Sequence, residues 1–206
     1  MNDYKNKEQI KEYLALLEKK GFEAKLFLKE LLLNANNALQ IKQNCEDKEV
    51  DFEAMMEVYF EPSDSSITIV DNGIGMSKEE LNSFVNESSY KKVEKVLSDN
   101  SLLEKELGLY FIFALAQKIS IISKKHKEDT AHKFISDLNS FDIAPCINED
   151  YSGTVIYIKL KDEFAKEFTN KENLISYLND LKESISFDLF LSYYDENFQE
   201  KVEKIN

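Results

Sequence analysis

Apolar positions Ile10, Tyr13, Leu14, Leu16 and Leu17 recur at helical spacing over residues 8–18, and the run ends in Lys19-Lys20-Gly21, residues suited to a helix carboxy terminus. A short amphipathic helix is predicted there. Residues 22–43 carry a stronger stripe, FLKELLLNANNAL from Phe27 to Leu39, long and apolar enough to form the central helix. The period then shortens to that of strands. Residues 52–60 and 66–70 read as an antiparallel pair around the turn Glu61-Pro62-Ser63-Asp64. Ser77 with Glu80 three residues later makes a capping-box pattern, so a helix is predicted over 77–85.

Residues 86–106 are polar, rich in Ser, Lys and Glu, and hold neither glycine nor proline, which suits a helix with a connecting segment. GLYFIFALAQK, opened by Gly108, predicts a further helix with its first amides free to meet an anion. Strands are predicted over 119–123, 131–138 and 152–161, with a weaker candidate at 141–146. A helix over 170–184 and a strand over 187–193 follow. The periodic part is therefore read as one domain, 1–194, with 195–206 as a charged tail or the start of a linker to a downstream domain.

Composition narrows the function classes. A chain of 206 residues with 43% hydrophobic and 12% aromatic residues can bury one globular core, and no apolar run approaches the roughly 18 residues of a membrane span. The opening MNDYKNKEQIKEY lacks the apolar stretch of a secretory signal, so a cytoplasmic location is expected. Two cysteines, Cys45 and Cys146, make no disulfide framework, and His126 and His132 add no metal-ligand cluster. The net charge of −13 argues against a broad nucleic-acid surface. The local run Lys124-Lys125-His126-Lys127 reads as a solvated hairpin tip.

Candidate chemistry lies in two places. Asp71-Asn72-Gly73-Ile74-Gly75-Met76 follows directly on the strand-like Ile67-Thr68-Ile69-Val70, so Asp71 offers a fixed carboxylate at a strand end and the glycines permit close backbone approach. Such an acceptor suits an exocyclic amine. Upstream, Glu30 and Asn34 stand four residues apart on the central helix and so share a face; the first could activate water, the second could give a neutral oxygen to Mg²⁺. Of only 5 glycines, Gly73, Gly75, Gly108 and Gly153 fall in these candidate loops.

FLKELLLNANNAL, ITIVDNGIGM, LGLYFIFALAQKISIISKK and SGTVIYIKLK, in this order, resemble the GHKL superfamily of ATPases, which spans gyrase, heat-shock chaperones, histidine kinases and MutL. Within it the chain is similar, from about Gln9 to about Phe190, to the amino-terminal ATPase domain of the ninety-kilodalton heat-shock chaperone and its divergent bacterial relatives. The resemblance implies an α/β fold, a two-layer α/β sandwich whose mixed, mostly antiparallel sheet carries helices on one face. It implies ATP or ADP binding with slow Mg²⁺-dependent hydrolysis. Asp71 would accept the adenine amine, with Thr154, Gly75 and Met76 lining the base. Gly108, Leu109, Tyr110 and Phe111 would present amides to the phosphates, Asn34 would hold Mg²⁺, and Glu30 would polarise the attacking water. Residues 86–106 occupy the lid position. Client proteins and a downstream middle domain are the implied partners.

The sequence departs from the family at Tyr110, where a second glycine is usual, at Asn37, which replaces an aspartate, and at Phe84, which replaces an asparagine. Two alternatives follow from other classes: a nucleotide-sensing scaffold without turnover, and a histidine-kinase-type catalytic module.

Overall fold

The computed structural model describes residues 2–3, 25–45, 52–85, 112, 115–137, 140–147 and 152–205. The predictions for residues 8–18, for 86–106 and for Gly108, Leu109, Tyr110 and Phe111 lie outside these. The described chain builds one nine-stranded sheet from β1 (Asn2–Asp3), β2 (Met56–Glu61), β3 (Ser66–Asp71), β4 (Ala116–Lys124), β5 (Ala131–Ser136), β6 (Ser140–Cys146), β7 (Gly153–Leu160), β8 (Leu189–Tyr194) and β9 (Glu200–Lys204). Its order is β1-β6-β5-β4-β7-β3-β2-β8-β9. Only β2 and β8 run parallel, so the sheet is mixed and mostly antiparallel, as expected.

The helices are α1 (Leu26–Cys45), α2 (Lys78–Val85), α3 (Asp162–Phe168) and α4 (Lys171–Leu181). Along α1 the buried residues Phe27, Leu28, Leu31, Leu32, Ala35 and Leu39 repeat every three or four positions, which turns one stripe onto the sheet. Phe27 also meets Phe168 of α3 edge to face at 4.9 Å. Leu174 and Leu178 of α4 are fully buried in the same core. The α2 start is the predicted capping box: Ser77 N–H donates to Glu80 at 2.8 Å and Glu80 N–H donates to the Ser77 hydroxyl at 3.2 Å.

Register on the inner face explains where a site can form. Ile67, Ile158 and Ile119 lie side by side across β3, β7 and β4, and Ile69, Ile156 and Ile121 form the next row. The third row is Asp71, Thr154 and Ser123. Two aliphatic rows thus give way to a polar one at the end of the same face.

Three of the differences from the sequence reading reshape the sheet. Pairing of β2 starts at Met56 rather than at residue 52, because the Asn72 carboxamide occupies the segment before it, accepting from Met55 N–H at 2.8 Å and donating to the Glu53 carbonyl at 2.8 Å. Ala116 to Lys118, read as helix, open β4 through an irregular register. Residues 195–206, read as a tail or linker, supply β9, which pairs antiparallel with β8. The turn between them is closed by the Asp195 carboxylate, which accepts from the N–H groups of Asn197 at 2.8 Å and Gln199 at 3.0 Å.

Core and tip aromatics should respond very differently to truncation. Phe27 is fully buried whereas Phe198 is 89% exposed. Phe27→Ala is expected to cost about 3–5 kcal/mol in urea unfolding, and Phe198→Ala under about 0.5 kcal/mol. Equal midpoints for the two variants would contradict this packing.

Candidate functional site

The alternation of β3 places Ile67, Ile69 and Asp71 on one side, so the strand that buries two isoleucines carries a carboxylate inward at its last position. Above it passes α1. Between them lies a cavity of about 330 Å³. Its walls are mainly apolar, with Leu31, Ala35, Ala38 and Ile41 from α1, Ile69 and Ile156 from the sheet, and Phe84 from α2. Asp71 and Thr154 stand at its polar end, with Asn34 and Asn37 contributed by α1 and Ile74, Gly75 and Met76 by the loop after β3.

Five candidate residues from separate stretches of sequence are therefore brought together: Asn34, Asp71, Gly75, Met76 and Thr154. Asn34 is exposed at the α1 surface, where its carboxamide can meet a ligand and solvent together. Glu30, one turn earlier, is buried and is not among the described residues that line the cavity.

Burial governs Asp71. With 7% of its surface exposed, it pays for desolvation with a carboxyl pKa pushed up to about 7; the Gly73 N–H, the charge of Lys42 and the Thr154 N–H oppose that rise. The Gly73 N–H donates to Asp71 Oδ1 at 2.9 Å. Lys42 is itself buried at the end of the α1 stripe, donating to the Asn72 carbonyl at 2.7 Å with Phe52 4.7 Å from its ammonium. Sequence reasoning missed this cation. Its spacing three residues after Leu39 was the available signal.

The loop after β3 is bound to the sheet by its backbone. Gly75 has φ +65°, and a Cβ built there would sit 1.9 Å from the Lys124 carbonyl oxygen. The close approach of β4 alone therefore requires glycine at this position. Gly153, at φ +144°, would set a Cβ 2.1 Å from the Asp71 carbonyl oxygen. Ile74 ties the same loop to two elements, donating its N–H to the Ala38 carbonyl at 3.0 Å and accepting from His126 N–H at 2.7 Å. Lys125 reaches Glu80 at 2.7 Å, so the basic hairpin tip is tied to α2 rather than wholly solvated.

Ser123 is the second residue that sequence reasoning missed. It is fully buried beside Thr154, and its hydroxyl contacts the Met76 amide, the Gly153 carbonyl and the Thr154 hydroxyl. The signal was parity, because Ser123 shares the strand face of Ile119 and Ile121.

The arrangement can seat a flat, largely apolar group with a hydrogen-bond donor directed at Asp71. No group of three or more His, Cys, Asp or Glu among the described residues could hold a metal ion. No helix among them is long and apolar enough to cross a membrane.

The sequence is similar to known proteins. Residues 27–148 match the family described as histidine kinase-, DNA gyrase B-, and HSP90-like ATPase. The chaperone protein HtpG of Aliarcobacter butzleri is 33% identical over 188 residues, which cover 83% of this chain and 29% of that protein. HtpG of Sulfurovum sp. is 31% identical over 187 residues, 83% of this chain and 30% of the relative. HtpG of Wolinella succinogenes is 30% identical over 203 residues, 88% and 32% respectively. The chain spans about 30% of the length of these curated relatives. It belongs to the histidine kinase-, DNA gyrase B- and HSP90-like ATPase family, as an ATP-binding domain similar to the amino-terminal ATPase domain of HtpG.

Proposed function

We propose that the cavity under α1 holds the adenine ring of ADP or ATP, and that the complete site hydrolyses ATP slowly. The observation that carries this reading is the buried Asp71 carboxylate at the polar end of an otherwise apolar cavity. An adenine amine donating to Asp71 would replace the lost hydration, and the aliphatic walls would cover the ring. Thr154, Gly75 and Met76 line the base in this reading, and the amides of Gly108, Leu109, Tyr110 and Phe111 meet the phosphates.

Asn34 fits a magnesium ion that takes most of its oxygens from phosphates and water, since it offers one exposed neutral oxygen at the cavity wall. The ion would supply charge neutralisation at the phosphates. Glu30 polarises the attacking water. Phosphoryl transfer depends on positioning and charge stabilisation, so a domain acting without an added cationic group turns over slowly. Because the relatives are chaperones three times longer, handling of client proteins and a following middle domain belong to the same proposal, with the cytoplasm as its location. The burial of Glu30 away from the cavity lining favours a second reading, nucleotide binding without turnover.

Calorimetric titration with ADP and ATP, with and without Mg²⁺, tests the first reading. Asp71→Asn is expected to weaken ADP binding by about 1.5–3 kcal/mol, the scale of a lost hydrogen bond to a charged group. Wild-type affinity in that variant would remove Asp71 from the site. Glu30→Ala should keep nucleotide affinity and lose turnover; hydrolysis at the native rate would refute the role of Glu30, and no turnover in the wild type would support the second reading.

The raised Asp71 pKa has two consequences. Between the ordinary carboxylate value of 3.8 and about 7, the folded state holds a proton that the unfolded state has released, so nucleotide-free stability falls as pH rises through that window and levels off above it. Asp71→Asn should abolish this fall in thermal unfolding. An amine donor prefers the ionised acceptor, so ADP affinity should rise with pH toward about 7 and flatten beyond it, with proton release visible as different binding heats in buffers of different ionisation enthalpy.

A further inference from the structure

We infer that Ser123 is a positioning residue for base selection: it accepts the hydrogen bond donated by the Thr154 hydroxyl and so leaves Thr154 facing the cavity as an acceptor. The inference rests on the nucleotide reading above and deepens it.

Ser123 Oγ makes three contacts. Met76 N–H donates to it at 2.8 Å, the Gly153 carbonyl lies at 3.0 Å, and Thr154 Oγ1 lies at 2.9 Å. A serine hydroxyl has one hydrogen and two lone pairs. The Gly153 carbonyl has no hydrogen to give, so it receives the Ser123 proton. The Met76 amide takes one lone pair. Only the second lone pair is left for Thr154, which must therefore be the donor in that contact. The Thr154 hydroxyl then has no hydrogen for the cavity it lines.

Thr154 and Asp71 are direct neighbours across β7 and β3. When Asp71 is ionised, the polar end of the cavity presents acceptors from both. A 6-amino purine brings hydrogens to that end, whereas a 6-oxo purine sets a carbonyl oxygen against it. Direction is fixed by Ser123, because a freed Thr154 hydroxyl could rotate and donate to a carbonyl. Ser123 acts without touching the ligand.

The test compares ADP with IDP by calorimetry on the whole chain at pH 8, with urea unfolding in parallel. The wild type should favour ADP by at least about tenfold, and Ser123→Ala should narrow that ratio by about tenfold. Thr154→Val, which removes the hydroxyl outright, should narrow it too. Adding Ser123→Ala to Thr154→Val should then leave the ratio unchanged, because both act through one hydroxyl. A further fall in the double variant, or an unchanged ratio in Ser123→Ala, overturns the inference. If Ser123→Ala does not fold, Thr154→Val decides, and an unchanged ratio there overturns it. A wild type that binds neither nucleotide overturns the nucleotide reading, and the inference with it; a wild type that binds both equally overturns the inference alone.

Discussion

A carboxylate held inside an apolar layer is costly unless hydrogen bonds or a ligand compensate it, and Asp71 sets that requirement at the end of β3. The surrounding structure supplies part of the answer. Gly73 gives its amide, Lys42 places a buried cation one carbonyl away, and Thr154 lies in direct register. These groups lower the cost but leave the carboxyl well above its ordinary range. A hydrogen donated to the ionised Asp71 would lower that value further. In the proposed function the adenine amine gives that hydrogen.

The same third row depends on backbone contacts that allow no side chain. Gly75 rests against the Lys124 carbonyl and Gly153 against the Asp71 carbonyl, so the loop after β3 is pressed between the ends of β4 and β7. Ser123 then finishes the packing, since its hydroxyl meets both the loop amide of Met76 and the carbonyl of Gly153. Position and polarity are set together. A change that lifted this loop would also disturb the Thr154 hydroxyl, although the two are far apart in sequence.

Much of this was legible in the sequence, for identifiable reasons. The α1 stripe, the Ser77 and Glu80 capping box and the alternation through β3 and β7 are local patterns, and local patterns survive without coordinates. Asp71, Gly75, Met76, Asn34 and Thr154 came from motif order, and the structure gathers all five around one cavity. Ser123 and Lys42 were hidden because their importance lies in register and in the end of a helix stripe. A serine in ISIISK could face either side until β4 is paired with β7. The edge strand β9 escaped for a related reason: Glu200-Lys201-Val202-Glu203-Lys204 is charged as edges often are, and charge reads as tail.

The cost at Asp71 also links binding to folding. Without a ligand, burial of the ionised carboxylate lowers the stability of the domain above the ordinary carboxylate range; with a donor bound, that penalty is relieved. A ligand that binds only the folded state stabilises it by RT ln(1 + [L]/Kd), and for the proposed nucleotide part of that binding energy would come from relieving the buried charge of Asp71. Hydrogen bonds join the adjoining elements around it. Lys42 anchors α1 to Asn72, Ile74 bonds to Ala38 of α1 and to His126 in the β4–β5 turn, and Lys125 holds α2 through Glu80. The bonds around one buried acceptor therefore extend to both helices that border the cavity.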